Sequence, residues 1–237
     1  GMDEYWSSSR GACLSLLQGV LLPEQTPSRF RQLRPWVHHG WEMVLIAAFL
    51  QESDGPLQRL GVDAFAADYD QQLRAGLDRF GWKPSLLQDS LERVRRQAVS
   101  GDRAGWVALH RPFKGVQERL AGLEEEGVAW SVLTTKGRDF TDELLDAFQL
   151  RPVRLDGRES GPKPEVLLRL RREWALKGFV EDRRATLEVV LETPGLEGLK
   201  CFLADWGYLR PADREGLPEG LDLLSTSKFA APLAIWP

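Results

Sequence analysis

The chain has 237 residues, 43% of them hydrophobic and 28% charged, with a net charge of −4. That is room for one large α/β domain, or for a core with a smaller inserted domain, in a globular protein of ordinary balance. The slightly acidic total gives no support to a nucleic-acid partner, which usually needs a basic face. No apolar run reaches the ~18 residues of a membrane span, and the segment Met43 to Leu50 is far too short. Gly1 to Gly11 has neither the basic start nor the apolar core of a secretory signal. Gly1-Met2 reads as a tag remnant before a start methionine. The two cysteines, Cys13 and Cys201, lie far apart without metal-ligand spacing and read as reduced thiols of a cytoplasmic protein.

To about Ala108 the pattern is helix after helix. Met43 to Leu50 is apolar nearly all round, which suits a helix buried in a bundle. Leu73, Leu77 and Phe80 follow Tyr69 at helical spacing, with Gly81 as a stop. Leu87, Leu91, Val94 and Ala98 repeat the pattern, with Ser85 and Gln88 spaced as a capping box.

From Pro112 helix and strand alternate. Val116, Leu120 and Leu123 mark a helix closed by Gly127. Val128 to Thr134 reads as a strand, Phe140 to Phe148 as a helix, and Pro152 to Leu155 as a short strand. A helix from Pro164, a good first-turn residue, carries Val166, Leu167, Leu170 and Trp174 and stops at Gly178. Phe179-Val180 is the next strand, followed by a helix, a strand at Leu199 to Ala204, and a last one at Leu221 to Leu224. Alternation of this kind predicts a parallel sheet covered by helices. Ligands of such sheets bind beyond the carboxyl ends of the strands.

Three strand ends carry chemistry. Thr134-Thr135-Lys136-Gly137 places hydroxyls at a turn before a helix, where an oxyanion can be held. Gly161-Pro162-Lys163-Pro164 sets a lysine at a helix start, where a cation reinforces the dipole toward phosphate. Glu181-Asp182 is a carboxylate pair after a strand, suited to Mg²⁺ shared with a substrate phosphate. Singly, these are more often turn residues, a solvated lysine and an acidic first turn. Their order, each after a strand, is what makes them specific.

In that order they resemble the motifs of the haloacid-dehalogenase-like (HAD-like) superfamily. Val132-Leu133-Thr134 is similar to its second motif, Gly161-Pro162-Lys163-Pro164 to its third, and Phe179-Val180-Glu181-Asp182 to its fourth. Arg111 to Val116 resembles the return from cap to core, and Ala204-Asp205-Trp206-Gly207-Tyr208 the segment after the following strand. The phosphoglycolate-phosphatase-like branch is nearest. The resemblance implies a Rossmann-like α/β core at 110–237 and an inserted helical cap at 5–109, mobile and excluding water. It implies a phosphatase of a small phosphorylated metabolite, working through an aspartyl-phosphate. Thr134 and Thr135 would hold the phosphate, Lys163 would neutralise its charge, and Glu181 and Asp182 would bind Mg²⁺.

The family's first motif, a strand ending Asp-x-Asp that carries the nucleophile, has no match. Asp3 has Tyr5 two residues on and no strand before it; Asp68-Tyr69-Asp70 lies in a helical stretch and reads as a solvated face. Two expectations follow. Either the natural protein starts further upstream, the favoured one because Thr134, Lys163, Glu181 and Asp182 are all present, or it is a non-catalytic binding relative. In the second case another segment, such as the apolar tail Ala230 to Trp236, would fill the position of the central strand. Among weaker signals, Trp36, His38, His39 and Trp41 read mainly as core, and the two histidines lack a third metal partner. Arg31, Arg34 and Arg111 are candidates for pairing with a substrate anion, though surface or ion-paired roles are commoner. Arg169, Arg171 and Arg172, and Glu124 to Glu126, read as solvated faces.

Overall fold

A helix whose residues Met43 to Phe49 are all completely buried organises the first part of the chain. The computed structural model describes residues 1–237, which divide into two units, Gly1–Arg111 and Pro112–Pro237. The first unit consists of α1 (Met2–Leu16), α2 (Ser28–Gln32), α3 (Gly40–Gln51), α4 (Pro56–Ala67), α5 (Tyr69–Phe80) and α6 (Pro84–Ala108). The apolar helix is α3, and α1, α2, α4, α5 and α6 all pack on it. That is why its pattern has no polar face. No helix is long and apolar enough to cross a membrane.

Local signals set several ends. Gly81 and Gly127 close their helices in the left-handed conformation, as expected of C′ glycines. At α6 the expected capping box is absent: the helix starts at Pro84, with Lys83 as its N-cap and no side-chain cap. Proline at the first position, with φ already helical, places Ser85 inside the first turn, and Gln88 bonds Glu92 instead.

The buried carboxylates of this unit, Glu4 and Glu42, are paired. Glu42 is 1% exposed, and its carboxylate accepts bonds from the backbone N–H groups of His38 and His39 at 2.9 Å and from the Tyr69 hydroxyl at 2.8 Å. Glu4, on α1, accepts two bonds from the Arg95 guanidinium of α6, at 2.6 and 3.0 Å, and one from Ser8 at 2.8 Å. His110 Nε2 lies 3.6 Å from the same carboxylate. Gly1 lies against the other end of the unit: a Cβ built on it would sit 2.8 Å from the Leu109 carbonyl oxygen. The first and last residues of this unit are therefore neighbours.

The second unit is α/β with parallel sheets. Its elements are α7 (Val116–Gly122), β1 (Ser131–Leu133), α8 (Arg138–Ala147), β2 (Arg154–Asp156), α9 (Lys163–Glu173), β3 (Gly178–Glu181), α10 (Arg184–Leu191), β4 (Lys200–Ala204), β5 (Leu221–Leu224) and α11 (Thr226–Phe229). Two parallel sheets form, β1-β2 and β3-β4-β5. Registers include Val132 with Leu155, Val180 with Phe202, and Leu203 with Leu223. β4 alternates: Cys201 and Leu203 face the core of α9 and α10, with Val166, Leu167, Leu187 and Val190, whereas Phe202 joins Leu224 and Phe229 on the other side.

β1 pairs only with β2, and β3 only with β4; no backbone ladder joins β1 to β3, although Leu133 of β1 packs against the apolar cluster built on β3 and β4. Strands of a parallel sheet are normally buried on both faces. Here Val132, Leu133, Val180 and Glu181 are only half-buried, while four of the five residues of β4 are buried. The expected strand over Val128 to Thr134 shortens to three residues, and α9 ends at Glu173, leaving Trp174 outside and 43% exposed.

The apolar tail adds no strand to either sheet. Leu233–Ile235 is a short 3₁₀ turn, and Trp236 meets Phe202 edge to face and Phe229 at a tilt, with its indole N–H on the Ala231 carbonyl. Glu126 is no merely solvated glutamate: it pairs with the buried Arg119 and accepts the Leu233 N–H at 3.0 Å.

The buried Glu4–Arg95 pair generates a stability prediction. Arg95→Met leaves a fully buried carboxylate without its cation, which costs about 3–5 kcal/mol. Urea unfolding should show a loss of that size, with much of it recovered in the Glu4→Gln/Arg95→Met double variant. A loss below about 1 kcal/mol would contradict the assignment.

Candidate functional site

β3 runs from Gly178 into Glu181, so the first carboxylate of the acidic pair is the last residue of the strand and Asp182 the first beyond it. Lys163 is the first residue of α9. Its ammonium forms an ion pair with the Glu181 carboxylate, and it stands 5.9 Å from the centre of the Phe179 ring. The two side chains are 14% and 11% exposed. The lysine after β2 and the acidic pair after β3 therefore meet at one place, at the carboxyl end of the strands.

Burial dominates the electrostatics of Glu181. It pushes the carboxyl above its ordinary value; Lys163 opposes that shift, and the adjacent Asp182 adds to it. Asp182 Oδ2 accepts the Tyr208 N–H at 3.4 Å. This approach depends on Gly207, where a Cβ would fall 2.2 Å from the Asp182 Cβ. Gly207 and Tyr208 follow β4, so a third strand end contributes to the cluster. The sequence of this segment resembles the one after the family's following strand, but that resemblance gives neither Gly207 nor Tyr208 a role.

Thr134 closes β1. Its N–H donates to the Asp156 carbonyl at 3.0 Å, and its Oγ1 accepts the Lys136 N–H at 3.1 Å. The threonine hydroxyl proton remains as a donor. Thr135 is exposed, and nothing in the structure assigns it a partner. The helix start expected to hold an oxyanion is engaged otherwise: the Arg138 N–H, in the first turn of α8, donates to the Glu159 carboxylate at 3.1 Å. Glu159 follows β2 and supplies an anion from within the chain. The loops after β1 and β2 are also tied by the Arg158 N–H on the Lys136 carbonyl at 3.0 Å. Asp156, buried and paired with Arg154 at 2.8 Å, was another residue the sequence reading passed over.

The remaining candidates have structural partners. Arg31 pairs with Asp3, and Arg34 lies over the Tyr5 ring at 5.9 Å. Arg111 helps to hold the Asp3 carboxyl low, after Thr26 and Arg31. His38 packs edge-on to Tyr69, and His39 stacks on Trp41. Asp68 and Asp70 are exposed about the buried Tyr69. Arg169 and Arg171 donate to backbone carbonyls of Ser160, Gly195 and Glu197. No cluster of three or more His, Cys, Asp or Glu side chains fit for a metal occurs. Two carboxylates nevertheless suffice for Mg²⁺ when substrate oxygens and water complete its shell. Of the two, Asp182 is the better placed, because Glu181 is already engaged by Lys163.

No known protein family matches the chain, and neither a curated protein nor a solved structure matches it.

A carboxyl whose folded pKa is raised contributes stability below its ordinary value and loses it as pH rises through the folded pKa. Glu181 should therefore titrate above 4.5 in a carboxyl-carbon NMR titration. Its contribution to stability should fall as pH rises past that point. Lys163→Met, which removes the opposing cation, should move the titration higher still. A Glu181 carboxyl that titrates at or below the ordinary value would show that burial does not govern this site.

Proposed function

We propose that this chain is the greater part of a HAD-like phosphohydrolase of the phosphoglycolate-phosphatase-like branch. On this reading it is an Mg²⁺-dependent phosphatase of a small phosphorylated metabolite. The supporting observation is the meeting of Lys163 with Glu181 and Asp182 at the carboxyl ends of the strands. Catalysis of phosphoryl transfer rests mainly on positioning and on fixed positive charge and aimed donors. Lys163 supplies the charge, held in place by Glu181. Thr134 has a hydroxyl proton to donate toward a phosphate oxygen. Asp182, oriented by the Tyr208 N–H, is the principal Mg²⁺ ligand, with Glu181 beside it; the ion, when bound, offsets phosphate charge.

The nucleophile is missing from residues 1–237, and so is the strand that would carry it. β1 pairs with β2 alone and β3 with β4 alone; on this reading one further parallel strand would lie between β1 and β3. A strand there, ending in Asp-x-Asp, would bring its carboxylate to the end of the sheet where Lys163 and Asp182 stand.

The test is to extend the chain at its N-terminus with an apolar strand ending Asp-Xaa-Asp and to assay p-nitrophenyl phosphate. Mg²⁺-dependent turnover should appear and fall roughly 10²-fold or more in Lys163→Ala and in Asp182→Asn. Amide exchange in β1 and β3 should slow on extension. Slowed exchange without turnover, or unchanged turnover in both variants, would refute the proposed activity.

A further inference from the structure

Phe113 and Tyr208 come together where Asp182 stands. Tyr208 is fixed by its own N–H on Asp182 Oδ2 and by the buried Leu209 that follows it in the core of α9 and α10. Phe113 is fixed by a turn, its carbonyl accepting the Val116 N–H at 3.1 Å at the entry to α7. The rings meet edge to face, with centroids 5.9 Å apart and planes at 60°. Phe113 nonetheless remains 41% exposed. Exposed large apolar side chains elsewhere in this unit, such as Val153, Trp174 and Val189, have no such link to Lys163, Glu181 or Asp182. A partly exposed aromatic ring packed on the tyrosine whose backbone holds Asp182 is suited to receive another ring.

We propose that Phe113 and Tyr208 form an aromatic lip beside Asp182, and that the substrate carries a planar aromatic ring next to its phosphate. This rests on the phosphate-site reading above and adds to it the class of leaving group. An edge-to-face or offset contact of this kind corresponds to roughly a two- to tenfold gain in affinity.

The experiment is calorimetric titration of the full chain, in Mg²⁺, with methyl phosphate and with phenyl phosphate. Phenyl phosphate should bind about fivefold more tightly. Phe113→Ala should bring it to the level of methyl phosphate while leaving methyl phosphate unchanged, and Phe113→Trp should keep the preference. Tyr208→Leu, with folding checked by circular dichroism, should reduce it as well. Equal binding of the two esters by the unaltered chain, or a preference surviving both Phe113→Ala and Tyr208→Leu, would overturn the lip and leave the phosphate site standing. Binding of neither ester would overturn the phosphate site, and the lip with it.

Discussion

The contact between Lys163 and Glu181 joins two strand-helix junctions into one locus. Without it, the first turn of α9 and the end of β3 would be separate features of a sheet's edge. A mostly buried ammonium-carboxylate pair contributes little net stability, since desolvation of both ions offsets their attraction; removing one partner is what is costly. The pair is therefore better understood as a constraint on position. It fixes a cation at the end of β3 and keeps Glu181 occupied. The Tyr208 N–H then sets the direction of Asp182, and the absence of a side chain at Gly207 allows that turn to come close.

The same region of the sheet explains why strand propensity and strand length disagree. Val128 to Thr134 has the composition of a seven-residue strand, but the strand itself spans only Ser131–Leu133, with Trp130 and Thr134 adding one backbone bond each to the β2 segment. A strand is made by its neighbours, and β1 has one, β2, which is itself three residues long. Backbone groups on the other edge of β1 have no ladder to join. β3 is in the same position, bound to β4 alone. Short strands limit the unpaired edge that each sheet presents, so the two small sheets are a tolerable arrangement of a chain whose pattern is that of one larger sheet.

What could be read in the sequence was whatever is encoded locally. The buried helix at Met43 to Phe49, the glycine stops at Gly81 and Gly127, the alternation after Pro112, and the placing of Lys163, Glu181 and Asp182 at strand ends all follow from periodicity and turn chemistry over a few residues. What could not be read were pairings over long separations. Glu4 finds Arg95 and His110 across the whole first unit, Arg119 reaches the Phe229 carbonyl, and Trp236 returns to Phe202. No local pattern distinguishes these residues from solvated ones. The capping box expected at Ser85 failed for a different reason, because a proline one residue earlier had already fixed the start of the helix.

The oxyanion turn shows how such a long-range pairing redistributes chemistry. Thr134 to Gly137 has the residues for an anion site at the start of α8, yet the Arg138 N–H is taken by Glu159. A carboxylate already at that helix end disfavours a second anion there, by repulsion and by competition for the same donor. On the proposed reading the Lys163 ammonium and the Thr134 hydroxyl, and not the start of α8, would therefore meet the phosphate, since ligands of open parallel sheets are held beyond the carboxyl ends of the strands.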